Sequence, residues 1–91
     1  MRKQPQFDWD PANREHIRRH GVTPEEAEQM LANDPLEIES KEHQGELRTV
    51  CLGRTEAGRA LLVVYTMRND KIRVITAYPV SRKKQRLYEP Q

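Results

Sequence analysis

Residues 60–66 read ALLVVYT. From Arg59 to Met67 apolar side chains fall on both alternating faces. Leu61, Val63 and Tyr65 share one face, and Leu62 and Val64 share the other, the pattern of an inner strand covered on both sides. The flanking segments alternate on one face only. Glu46 to Arg54 places Val50 and Leu52 together, with Arg48 and Arg54 nearer the ends. Lys71 to Tyr78 places Ile72 and Val74 on one face and Arg73, Ile75 and Ala77 on the other. Thr55 to Gly58 reads as a glycine-containing hairpin turn, and Asn69-Asp70 as a second tight turn. The segment 60–66 is therefore the centre of an antiparallel meander. Leu36 to Glu39 is expected as a further short strand, followed by a turn over Lys41 to Gly45.

Upstream of the meander the period changes. Phe7 and Trp9 alternate with Asp8, which predicts a short strand. Asp10 then has N-cap chemistry and Pro11 suits a first helical position. The first helix is expected over about 11–20, with Gly21 as a left-handed stop. Thr23, Pro24 and Glu26 set up a capping box for a second helix over 24–33, whose buried stripe is Ala27, Met30 and Leu31. Downstream, Pro79 breaks the last strand. Ser81 caps a short basic helix carrying Arg82, Lys83, Lys84 and Arg86 and ending near Tyr88. The expected fold is α+β: a short N-terminal strand, two helices packed on an antiparallel meander, and a short basic C-terminal helix.

The chain has 91 residues, which argues for one domain over 1–91, with 1–6 and 89–91 as loose ends. Hydrophobic residues make up 35% and charged residues 33%, yet the net charge is only +2, so a disordered chain is not indicated. Acids gather between Glu25 and Glu46 and bases between Arg68 and Arg86, which suggests a basic face for a polyanionic partner. No apolar run approaches the roughly 20 residues that span a bilayer, so no membrane partner is expected. The start, MRKQPQFDWD, has no hydrophobic centre and does not read as a signal peptide. With Cys51 as the only cysteine, no internal disulfide can form, and a cytoplasmic protein is expected. Cys51 lies in a strand pattern and reads as a small packed hydrophobe.

His16 and His20 are one helical turn apart and share a face, which raises the question of a metal pair. No HExxH pattern accompanies them, and no metal site is expected. A DNA-reading helix-turn-helix is also disfavoured, because Glu25, Glu26 and Glu28 would bring acids to a phosphate backbone.

Several motifs, taken together, carry a family resemblance. FDWDPANREHIRRHGVTPEEAE, then LGRTEAGRALLVVYT, then RVITA followed by Tyr78, resemble the BrnT family, the small toxins of type II toxin–antitoxin pairs. The resemblance runs from Phe7 to about Tyr88. Its most specific parts are F-x-W-D, HGV, GRT…GR across the hairpin, and RVITA. It implies a fold similar to the RelE-like ribonucleases and an RNA-cleaving toxin that needs no metal or other cofactor. It also implies a cognate DNA-binding antitoxin as partner, with a homo-oligomer or a toxin–antitoxin hetero-oligomer as the assembled form. Two positions depart from the pattern. Tyr78, followed by Pro79, stands where family members commonly carry an arginine after the ITA run. The start of the last helix is all lysine and arginine where an acid is common.

Metal-free RNA cleavage needs a base for the 2′-hydroxyl, a cation for the phosphate, and an acid for the leaving 5′-oxygen. Arginine suits phosphate through charged, bidentate contact. Arg54, Arg73 and Arg82 are the leading candidates, expected to converge on one sheet face, with Arg59 and Arg68 as second choices. Histidine is the side chain whose ordinary range spans neutrality, so His20 is a proton-transfer candidate, with Tyr78 and Tyr88 beside it. The catalytic set is thus Arg54, Arg73, His20 and Tyr88, and the RNA-binding set is Arg82, Lys83, Arg68 and Tyr78. Structural roles compete. Arg54 and Arg59 flank a hairpin where charges guard strand ends, and Arg73 could pair with a helix carboxylate such as Glu28. The alternative function is a diverged, non-catalytic protein-binding module that keeps the antitoxin or dimer surface.

Overall fold

The computed structural model describes residues 5–86. Helix α1 (Pro11–Arg19) and helix α2 (Pro24–Ala32) precede four strands, β1 (Leu36–His43), β2 (Glu46–Arg54), β3 (Ala60–Arg68) and β4 (Lys71–Pro79). One further turn of helix, α3 (Arg82–Gln85), follows. The strands form one antiparallel sheet in the order β1-β2-β3-β4, so the ALLVVYT segment is an inner strand.

Both long helices begin with reciprocal caps. The Asp10 side chain accepts from the Asn13 backbone N–H while the Asn13 side chain accepts from the Asp10 N–H, at 2.9 and 2.8 Å. Thr23 and Glu26 repeat the device, each bond 3.1 Å long. Between the helices the chain closes a Schellman turn. The Val22 N–H donates to the Ile17 carbonyl and the Gly21 N–H to the Arg18 carbonyl, with Gly21 at φ 77°. Ile17 and Val22, the hydrophobic pair of that motif, are both buried.

The helices cover one sheet face. Ile17, Val22, Ala27 and Met30 pack with Cys51, Leu61, Val63, Val74 and Ala77. Gly53 permits this closeness, since a Cβ there would lie 3.0 Å from the Met30 side chain. The opposite face carries a cross-strand row of Leu52, Leu62 and Tyr78. α3 closes one end of that face, where Gln85 is buried and accepts from Arg54 at 2.6 Å.

Two expectations need correction. The N-terminal strand reduces to one parallel bridge between Phe7 and Ile72, fixed by backbone bonds of 2.8 Å from Asp8 to Ile72 and from Ile72 to Gln6. Asp10 turns the chain into α1 before a ladder can extend. β1 is longer than expected, because the turn is only Gln44-Gly45, at φ 51° and 80°. As an outer strand it is exposed along almost its whole length, so its side chains show no apolar alternation.

Candidate nucleic-acid interface

β4 is the outer strand on the side where α1 packs, and the charged residues gather along their seam. At one end lies a groove of ≈ 270 Å³ whose lining includes His16, Glu46, Arg48, Thr66, Arg68 and Arg73. Arg48 and Arg68 share the Glu46 carboxylate at 3.4 and 3.7 Å, so two cations there face one anion. Arg73 is more fully engaged. Its guanidinium lies 2.7 Å from Asp10 and 3.6 Å from Asp8, and its side chain is only 18% exposed. Glu28, the alternative partner for Arg73, instead accepts a 2.7 Å bond from the Trp9 indole. The Asn13 backbone N–H, followed by Arg73, holds the Asp10 carboxyl below its ordinary 3.8.

From this groove a row of ring side chains runs along the seam. His16 Nε2 lies 3.1 Å from Thr76 Oγ1. The His16 and His20 rings meet edge to face with centroids 5.2 Å apart. His20 then approaches Tyr78 at 6.1 Å, and Lys84 Nζ stands 5.7 Å from the Tyr78 ring centroid. Both histidines and Lys84 are exposed, while Tyr78 is half-buried. Two imidazoles, a phenol and an ammonium are thus contiguous and open to a ligand. Arg82 and Lys83 are exposed on the same turn of helix as Lys84.

The expected convergence of Arg54 with Arg73 does not occur. Arg54 pairs with Ala60 at one end of β3 and Arg73 with Thr66 near the other. Along β3 those positions are six residue steps apart, about 20 Å. Arg54 belongs with α3, donating to Gln85 and to the Gly58 carbonyl. Arg59 pins the inter-helix turn, donating to the Gly21 carbonyl at 2.8 Å and to Glu26 at 2.9 Å. Arg68 lies in the groove with Arg73, and His20 with Tyr78 in the ring row. Tyr88 lies outside the described residues.

His16, Arg48 and Lys84 were not among the site candidates. The His16–His20 spacing was visible in sequence, but what the shared face looks onto was not. Nothing local announces that α3 folds back to bring Lys84 over Tyr78. Cys51 is buried, and burial together with the nearby Glu37 pushes its thiol up, which suits a packed residue and not a nucleophile. Among the described residues, no group of three or more His, Cys, Asp or Glu side chains is placed to share a metal ion. No helix among them is long and apolar enough to cross a membrane.

No curated protein matches the chain. A family model does, described as the ribonuclease toxin BrnT of type II toxin–antitoxin systems, and it aligns with residues 9–84. That span takes in α1, α2, the whole sheet and the ring row up to Lys84. A toxin of this family implies an RNA target and an antitoxin partner, and the chain belongs to the BrnT family of type II ribonuclease toxins.

Proposed function

We propose that this chain cleaves RNA without a metal cofactor, along the α1–β4 seam, and that a cognate DNA-binding antitoxin neutralises it in the cytoplasm by forming a hetero-oligomer with it. The observation that carries this reading is the unbroken run from the arginine groove through His16, His20 and Tyr78 to Lys84. Such a run offers cations for successive phosphates and proton carriers between them. Tyr78 stands where the family resemblance implies an arginine, and Lys84 returns a positive charge to that place from α3. Lys84, Arg82 and Lys83 hold phosphate at one end, and Arg48 and Arg68 hold it at the other. His20 serves proton transfer, and the Tyr78 ring offers a face to a base. Arg73 acts as a positioning residue, since two carboxylates already surround it. Arg54 orients α3 through Gln85.

The test is purified protein with a structured RNA in excess chelator, across a salt series. Cleavage in chelator, with affinity falling steeply as salt rises, is the expected result. Intact RNA throughout, combined with tight binding to a candidate antitoxin, would favour the non-catalytic module.

A further inference from the structure

We propose that His16 and His20 form the proton-transfer pair of this site, His16 as base toward the ribose 2′-hydroxyl and His20 as acid toward the 5′-oxygen. The assignment rests on the ribonuclease reading above. It adds a residue, His16, and gives each imidazole a separate task.

Position argues first. His16 lines the arginine groove and also touches His20, so it stands where the two halves of the basic surface meet. A phosphodiester bound to both halves passes the two imidazoles. Both rings are exposed although the helix that carries them buries Ile17 between them, so neither is a packing residue. Their spacing of one helical turn holds the rings side by side without either displacing the other.

Chemistry then separates the roles. His16 Nε2 already has a hydroxyl 3.1 Å away, that of Thr76. A ribose 2′-hydroxyl taking that place finds an imidazole nitrogen within the reach general-base catalysis requires. His20 lies on the other side, toward Tyr78 and the Lys84 ammonium, where the departing segment would continue. In the step, neutral His16 accepts the 2′-hydroxyl proton as O2′ bonds to phosphorus. The P–O5′ bond breaks, and O5′ takes a proton from protonated His20. The products are a 2′,3′-cyclic phosphate and a 5′-hydroxyl. Solvent exchange then returns each imidazole to its starting form, so protons balance and no oxidant, reductant or metal enters.

The experiment compares the wild type with His16→Ala, His16→Gln and His20→Ala on a short oligoribonucleotide containing the linkage that the wild type cuts. A second oligonucleotide carries a bridging sulfur in place of O5′ at that linkage, because a thiolate leaves without being protonated. Each substitution should slow cleavage of the oxygen linkage by about 10²-fold or more. The sulfur linkage should restore His20→Ala to near the wild-type rate and leave both His16 variants slow. Glutamine keeps a hydrogen-bonding tip but cannot take up a proton as a base, so a His16→Gln variant as fast as wild type would reduce His16 to positioning and overturn the pair. Sulfur rescue of both histidine sites, of neither, or of His16 alone would overturn it too. Wild-type protein that leaves the RNA intact would overturn the ribonuclease reading itself, and the pair with it. An active wild type with an indifferent His16→Ala would overturn the pair alone.

Discussion

Lys84 Nζ stands 5.7 Å from the centroid of the Tyr78 ring, a cation from α3 set over an aromatic side chain of β4. Such a contact orients the ammonium without neutralising it, leaving the charge available to phosphate. Lys84→Ala should therefore weaken RNA binding and flatten its salt dependence by roughly 0.7–1 unit on the logarithmic scale. Tyr78→Phe should behave as wild type, whereas Tyr78→Ala should resemble Lys84→Ala. Fluorescence anisotropy with labelled RNA over a salt series reads all three.

Arg73 should behave differently from its neighbour Arg68, although both line one groove. Arg73 ties Asp8 and the α1 N-cap Asp10 to β4. Its loss would leave those two carboxylates facing each other without a cation. Arg73→Ala should lower the melting temperature while leaving the salt slope of RNA binding unchanged. Arg68, half exposed and 3.7 Å from Glu46, is placed for phosphate contact. Arg68→Ala should reduce the slope by about one unit and leave the melting temperature nearly unmoved. A slope change in Arg73→Ala as large as that in Arg68→Ala would return Arg73 to the binding surface.

The contrast between these arginines shows what local sequence can carry. The caps at Asp10 and Thr23, the stop at Gly21 and the two-sided strand at 60–66 depend on neighbours a few residues away, and all form as the pattern requires. The fold class was legible for that reason. The fate of each arginine depends on which carboxylate tertiary packing delivers. Arg59 meets Glu26 from 33 residues away, and Arg73 meets the N-terminal segment, so charge alone could not separate pins from ligands. The length of β1 is hidden in the sequence for a related reason, since an exposed outer strand has no buried face to mark it.

Gly21 tests the hinge that presents His20. Its φ of 77° lies in the left-handed region, and Arg59 donates to its carbonyl. A β-branched side chain is costly in that conformation, so Gly21→Val should destabilise the chain by about 1 kcal/mol or more. Denaturant unfolding measures this. Gly21→Asn should cost less, because asparagine tolerates the left-handed region better. Equal midpoints for Val, Asn and wild type would remove the turn from the account of stability.

Glu26 links that hinge to acid stability. Burial alone would raise its carboxyl, but hydrogen bonds from Arg59 and from the Thr23 N–H outweigh this and hold it below the ordinary 4.5. The unfolded chain therefore binds the Glu26 proton at a higher pH than the folded chain does. The resulting stabilisation is complete above the unfolded value and fades as the pH falls through the lower, folded one. Glu26→Gln separates this effect from capping, because glutamine still accepts the Thr23 N–H in a capping box. At pH 7 the variant should be less stable than wild type. As the pH drops below about 4.5 the gap should narrow, since the wild type then loses what the variant never had. Asp10 and Glu15 are also held low, by the Asn13 N–H and by Arg18 respectively, so an acid-induced decline should persist in the variant with a shallower slope. Urea midpoints at pH 7, 5, 4 and 3 decide the matter. A gap that stays constant across the series would mean that the Arg59–Glu26 contact contributes through packing and not through charge.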